Sequence, residues 1–480
     1  MSTRRIGPAS LARLLGAWRG DRTGPAYRRL ADGLRLLILD GRLPLDLVLP
    51  GERELATAFE VSRTTITAAF ATLRDEGFLE RRQGAGALTR LPAGPGERPV
   101  ASLTAGSAAD GVLDLGSAAP PANAAVHGAF AAALSLLPAE LPSHGYAALG
   151  LASLRQVIAE RYARRGLPTT ADQIMVTNGA QHGLALILRL VAGPGDRVVI
   201  DHPTYPHAID AIQRASCRPV PVGLPDGGWD VEGLAAAFRQ SGPRLAYLIP
   251  EFHNPTARWM DAETRAAVVA AAARSRTMVI FDETLVDLWL DQPIQPYAFD
   301  EPDEGLIRLG SMSKSFWGGL RLGWIRADVQ TIQALGPRRA SIDLGSPMLE
   351  QLAGAQLLAD DEAALASRRE MLRGRRAVLL DLVARHFPDW KVSVPAGGLS
   401  LWAELPGAIS TALAATSERF GVRLAAGPRF GVDGAFDRFL RLPYTLSPEE
   451  LAEAMERLSQ AYARLRPASQ PARASVGAIV

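Results

Sequence analysis

The sequence predicts two modules: a small winged helix-turn-helix, then a large α/β module with a mostly parallel sheet. Three observations predict it. Before residue 92, two short helical patterns joined by a tight turn run into a hairpin pattern. Beyond residue 112, apolar runs alternate with helical segments, and each polar motif directly follows a strand pattern. Charge divides at the same place. Residues 1–92 carry fifteen arginines against ten acids, a net +5, and the remainder nets −3 within a whole-chain charge of +2.

The chain has 480 residues, 48% apolar and 21% charged, enough for two or three domains with sizeable cores. No run reaches the roughly 18 uncharged apolar residues of a membrane span. The first twenty residues place arginines on both sides of a short apolar patch and lack a cleavage pattern, so secretion is not expected. Cys217 is the single cysteine, which excludes a disulfide framework and an all-cysteine metal site within one chain. Together these features predict a cytoplasmic protein with no bound metal.

In the first module, Leu30, Leu34, Leu37 and Ile38 recur at helical spacing, and Asp40-Gly41 marks the end of that helix. Pro50-Gly51 opens a short helix over 52–60. Ser62 is a fitting N-cap for a helix whose buried stripe is Ile66, Phe70 and Leu73, and Gly77 stops it. Arg63, Thr64, Thr65 and Thr67 avoid the stripe and sit at the helix start, where a recognition helix meets base edges and phosphate. Two short strands then flank Gln83-Gly84-Ala85-Gly86. A hairpin beside a helix-turn-helix is a wing, with Arg81, Arg82 and Gln83 at its tip. A small helical module for protein contact is the alternative.

L-P-G-E-R-E-L-A, V-S-R-T-T-I and L-R-D-E-G-F-L together resemble the winged helix-turn-helix of GntR-type bacterial regulators over about 65 residues. The resemblance implies operator-DNA contacts by Arg53, Ser62, Arg63, Thr64, Thr65, Gln83 and Gly84, with Arg53 on phosphate or guanine.

Residues 92–111 are rich in Pro, Gly, Ala and Ser without apolar periodicity, and read as a tether. Strand patterns then fall at 174–177, 197–200, 245–250, 277–283 and 306–314. Ligands of such sheets sit beyond the carboxyl ends of the strands. Thr177-Asn178-Gly179-Ala180-Gln181 is a strand–glycine–helix turn, an anion site suited to phosphate. Asp282 ends an apolar strand and needs a cationic partner. Asn254 lies one strand end away and can donate to a phenolate, and Tyr205 offers a ring for stacking.

Of 52 basic residues only two are lysines, Lys314 and Lys391. Arginine carries charge but supplies no primary amine nucleophile, so a surviving lysine is a candidate for amine chemistry. Lys391, in D-W-K-V-S-V, reads as an exposed strand lysine. Lys314 follows Ser311-Met312-Ser313, with Arg321 seven residues on and Gly318-Gly319 between. A primary amine, a carboxylate for a pyridinium, a phenolate donor and phosphate binders match pyridoxal 5′-phosphate.

T-N-G-A-Q-H-G-L, H-P-T-Y-P, H-N-P-T, F-D-E and S-M-S-K-S-F-W-G-G-L-R-L-G-W, in that order, resemble fold-type I aminotransferases over roughly residues 115–465. The resemblance implies that Lys314 is the aldimine lysine, Asp282 pairs with the pyridine nitrogen, Asn254 bonds the ring oxygen and Tyr205 stacks on the ring. Ala180, Gln181, Ser311, Ser313 and Arg321 would hold phosphate, and Tyr146 would reach the phosphate of the partner subunit. Arg441, in F-L-R-L-P-Y, would grip an amino-acid carboxylate; an ordinary strand arginine in a salt bridge is the alternative. One departure stands out. A tyrosine is usual two or three residues after the aspartate, and here those positions are Thr284 and Leu285.

The two parts together resemble the MocR subfamily of bacterial regulators. The resemblance implies a DNA-binding domain over 20–91, a linker over 92–111, an aminotransferase-like domain over 112–466 and a disordered tail over 467–480. It also implies a homodimer on double-stranded operator DNA, answering a small amine, an amino acid or the cofactor itself through the Lys314 aldimine. A working aminotransferase with a DNA-binding appendage, and a body that has lost its cofactor and only dimerises, are the alternatives.

Overall fold

The structure is a computed structural model that describes residues 5–16, 18, 25–39, 42–45, 47–82, 86–90, 111–293, 297 and 304–465. The expected tether and C-terminal tail lie outside the described residues, apart from Gly111.

The N-terminal module holds α1 (Pro8–Leu15), α2 (Ala26–Leu39), α3 (Glu52–Ala58), α4 (Arg63–Asp75) and the hairpin β1 (Leu79–Arg82) and β2 (Gly86–Thr89). Its core joins the stripe of α2 to Leu55, Phe59, Ile66, Phe70 and Leu73. The Ser62 hydroxyl accepts from the Thr65 amide at 3.1 Å, the N-cap the sequence predicts. Sequence reading assigned no element before residue 26, yet α1 belongs to this core: Leu11 is fully buried in it. The apolar patch between the N-terminal arginines is therefore a packing face.

The second module begins with β3 (Leu113–Leu115), α5 (Ala125–Leu136) and α6 (Ala152–Arg164). Then follow β4 (Ile174–Thr177), α7 (Ala180–Val191), β5 (Arg197–His202), α8 (Pro206–Arg214), β6 (Arg218–Gly223), α9 (Val231–Ser241), β7 (Leu245–Leu248), α10 (Ala262–Arg274), β8 (Met278–Asp282), β9 (Leu306–Ser311) and β10 (Gly323–Arg326). The seven-stranded sheet runs in the order β4-β10-β9-β8-β7-β5-β6. Only β10 runs antiparallel to its neighbours, a strand that the alternating pattern did not reveal. Successive strand residues point to opposite faces. Val198, Ile200, Tyr247 and Ile280 pack with α7 and α8, whereas Val199, Leu248, Val279 and Phe281 pack with α9 and α10.

The chain continues through α11 (Val329–Arg339), α12 (Met348–Ala359) and the long α13 (Glu362–His386). A second sheet uses β11 (Lys391–Val392), β12 (Ser400–Glu404), β13 (Val422–Ala426) and β14 (Phe439–Pro443), with α14 (Ser410–Ser417) and α15 (Pro448–Leu465). Its order is β11-β12-β14-β13-β3, antiparallel except that β3 lies parallel to β13. This smaller sheet was not predicted, and its β3 lies far from its partner β13 in sequence. Among the described residues, no helix is long and apolar enough to cross a membrane.

Candidate functional site

The site forms where the C-terminal ends of the parallel strands meet the smaller sheet. β4 runs into Gly179, which caps α7 with φ +88°. A Cβ there would lie 2.9 Å from Arg321 Nη2, so the position requires glycine both for its backbone and for the close approach. Arg321 Nη2 donates to the Asn178 carbonyl at 2.9 Å. Ala180 and Gln181 form the first turn of α7, whose N–H groups have no intrahelical acceptor and whose dipole is positive outward. Gln181 also donates from Nε2 to the His207 carbonyl at 3.0 Å, and its Oε1 is buried without a partner. Ser311 ends β9, and its hydroxyl accepts from the Ser313 amide at 3.1 Å. Arg321 thus closes on the turn that holds Ala180 and Gln181, and Ser311 and Ser313 lie at the end of β9, on the far side of β10.

Asp282 ends β8 and is buried. Its Oδ1 accepts from the Thr284 amide at 3.0 Å and its Oδ2 from the Tyr247 hydroxyl at 2.5 Å. Burial pushes the carboxyl above its usual range, and these two bonds pull it back. Lys314 donates from Nζ to the Ala118 carbonyl at 2.9 Å. Burial, then the charges of Arg441 and Arg321, lowers this amine to about 8, against the opposing pull of Asp282. Tyr205 feels Asp282, Arg441 and Arg321 as well and is pushed up to about 12, mainly by burial.

Arg441 comes from the other sheet, mid-strand in β14 beside Trp402 of β12 and Ala425 of β13. It donates from Nη1 to Asn254 Oδ1 at 3.4 Å and from Nη2 to the Gly116 carbonyl, and sits 5.1 Å from the Phe430 ring centre. Its Nε is buried without a partner. Burial lowers it to about 10. It is not the salt-bridged strand arginine of the alternative: no carboxylate pairs with it among the described residues. With the Asn254 oxygen on Arg441, the amide N–H₂ is the group left to donate.

Tyr146, expected to reach the phosphate of the partner subunit, stands apart from this chain's own cluster and is 64% exposed beside His144. The usual tyrosine position is filled otherwise: Leu285 packs into the core under the smaller sheet with Phe252 and Leu288, and the Thr284 hydroxyl is buried without a partner. Sequence reading missed Tyr247 and the Ala118 carbonyl. A lone tyrosine in the apolar run L-A-Y-L was the available signal, since a buried hydroxyl needs a partner; a backbone carbonyl leaves no signal at all. Lys391 is exposed and lies 3.5 Å from Glu404, as read. No cluster of metal-ligating side chains occurs among the described residues.

On the N-terminal module, Arg53, Ser62, Arg63 and Thr64 are exposed and Thr65 half-exposed at the start of α4 and on α3. Ser62 Oγ also bonds Thr64 Oγ1 at 2.7 Å and Thr65 Oγ1 at 2.8 Å, so these hydroxyls rigidify the turn. Glu52 holds Arg63 at 3.7 Å and accepts from Thr67 Oγ1 at 2.8 Å, a restraint the sequence did not show. Gln83 and Gly84, named for the wing, lie outside the described residues.

Residues 112–458 match the class I and II aminotransferase family. The chain belongs to that family. Residues 26–88 match the gntR family of bacterial regulatory proteins, so the chain has the two-part organisation of MocR-type regulators. An uncharacterized HTH-type transcriptional regulator of Bacillus subtilis (strain 168), YisV, is 27% identical over 81% of this chain and 86% of its own length. The 2-aminoadipate transaminase of Thermus thermophilus is 29% identical over 67% of this chain and 80% of its own. The structure of LysN, the alpha-aminoadipate aminotransferase of that organism complexed with N-(5′-phosphopyridoxyl)-L-leucine, superposes with a TM-score of 0.68 at 26% identity. It spans 74% of this chain and 93% of LysN. The residues around Gly179, Asp282 and Lys314 fit pyridoxal 5′-phosphate: a glycine cradle under a guanidinium, a buried carboxylate and a poised primary amine.

Proposed function

We propose that this regulator binds double-stranded operator DNA through α4 and the wing, and senses a small amine or amino acid at a pyridoxal 5′-phosphate site anchored on Lys314. The observation that carries the reading is the surroundings of the Lys314 amine, which faces Asp282, Arg321 and Arg441 at once. When bound, the cofactor supplies an aldehyde that a primary amine attacks and a ring that withdraws electrons. Each remaining role falls to the chain. Ala180, Gln181, Ser311 and Ser313 would donate hydrogen bonds to the phosphate, and Arg321 would balance its charge. Asp282 keeps a proton on the ring nitrogen, Asn254 donates to the ring oxygen and Tyr205 covers the ring face. Arg441 receives an effector carboxylate on a guanidinium that no carboxylate of the described residues neutralises.

Binding alters DNA occupancy only if the two placements of the winged helix differ in affinity for the effector, as linkage requires. The reading includes a homodimer. Leu134, Leu136, Leu141 and Tyr146 are 57%, 44%, 68% and 64% exposed, apolar surface that a second copy would cover. The test is spectroscopic. Full-length protein with pyridoxal phosphate acquires a visible band that borohydride fixes, and Lys314→Ala abolishes it. A protein that stays colourless with added cofactor defeats the reading. Sustained turnover of an amino donor with a 2-oxo acid would replace sensing by catalysis.

A further inference from the structure

Helix α13 carries five buried or half-buried arginines, and three of them pair with acids. Arg369 donates to Glu362 at 2.5 Å, Arg373 pairs with Glu370, and Arg376 forms a fork on Asp291 at 2.6 and 2.9 Å. Arg368 differs. It is 3% exposed, and among the described residues no carboxylate pairs with it. Its Nε donates to the Ser315 carbonyl at 3.2 Å, and its Nη2 to the Phe316 carbonyl at 2.7 Å and to the Pro121 carbonyl at 2.6 Å. Burial and the nearby charge of Arg375 lower it to about 10. A cation held in this way is costly unless the bonds it makes are needed.

Those acceptors lie on either side of Lys314. Ser315 and Phe316 follow it directly, and Pro121 lies three residues after Ala118, whose carbonyl receives the Lys314 amine. The lysine loop is held from a second direction as well, by the Ser315 hydroxyl donating to Asp287 Oδ2 at 2.7 Å. We propose that Arg368 is a positioning residue for Lys314, tying the backbone of the lysine loop to the 118–121 segment so that the amine stays in a closed, cation-lined cleft. The inference rests on Lys314 being the cofactor anchor. The groups facing the amine are Arg321, Arg441 and Asp282, with the Tyr205 ring nearby. Loosening the clamp admits water to the amine, and burial is the first cause of its lowered pKa. In the capture step the neutral amine adds to the aldehyde carbon, the new C–N bond forms, and the aldehyde oxygen leaves as water.

The experiment follows the rate at which full-length, cofactor-free protein gains a borohydride-fixable linkage to added pyridoxal phosphate, as a function of pH. Wild type should give a midpoint near 8. Arg368→Met should move the midpoint up by about one pH unit and slow capture at neutral pH about tenfold. Arg368→Lys should recover part of both, because one donor head reaches part of the clamp. Arg376→Met, which removes another buried arginine of the same helix, should lower the melting temperature and leave the midpoint in place. If Arg368→Met does not accumulate folded, Arg368→Lys carries the test through a smaller upward shift. An unchanged midpoint in the folded Arg368 variants, or an equal shift in Arg376→Met, overturns the proposal. Retention of the linkage by Lys314→Ala instead defeats the anchor reading, independently of Arg368.

Discussion

Tyr247 donates its hydroxyl to Asp282 Oδ2 across 2.5 Å, from the strand adjacent to β8. In the parallel register Tyr247 faces Ile280, so Asp282 lies two residues on, on the same face of the sheet as the tyrosine. The chain thereby supports its carboxylate from inside the sheet, although the tyrosine usual after the aspartate is replaced by Thr284 and Leu285. Tyr247→Phe should raise the Asp282 carboxyl further and weaken pyridoxal phosphate binding several-fold without unfolding the protein, as read by cofactor titration and thermal melting.

Asp282 is a buried acid whose carboxyl lies above its usual range. A raised carboxyl favours folding at low pH and loses that contribution as pH rises through the folded-state value. The cofactor-free protein therefore carries an unfavourable anion at neutral pH. Asp282→Asn should stabilise the cofactor-free protein by about 1 to 2 kcal/mol at neutral pH and abolish cofactor retention. Melting curves with and without pyridoxal phosphate check both halves.

Among the described residues Arg441 donates only to uncharged acceptors, with Nε unused. Arg441→Met should keep the cofactor band and remove discrimination between an α-amino acid and its decarboxylated amine, a loss of about tenfold or more. Spectral titrations with both ligands measure it.

Glu52 holds both Arg63 and Thr67 at the start of α4. Arg63→Ala should weaken binding to an operator duplex recovered by genomic mapping and reduce the slope of log affinity against log salt by about one. Glu52→Gln should strengthen binding by freeing the arginine. The cofactor band stays unchanged in both, which separates the two sites.

The parts legible in the sequence were local ones. The Ser62 cap, the α4 stripe and the strand–glycine–helix turn at Gly179 each depend on residues within a few positions of one another, and all appear where periodicity places them. Lys314 and Asp282 were legible because they lie at the ends of the parallel strands β9 and β8, which deliver their ends to one side of the sheet, whereas Arg321 enters just before the antiparallel β10. The illegible parts join distant segments: β3 beside β13, Arg441 against Gly116 and Asn254, and Lys314 on a backbone carbonyl at Ala118. Leu11 was missed for a related reason, since its helix is short and gains stability only from the core it closes.

The measurement that bears most directly on the account is peptide mapping after borohydride treatment of full-length protein incubated with pyridoxal phosphate. Anchoring at Lys314 predicts a phosphopyridoxyl group on the peptide containing Lys314 and none on the peptide containing Lys391, the only other lysine. A label on Lys391 alone, or a saturating concentration of cofactor that leaves Lys314 unlabelled, would contradict it.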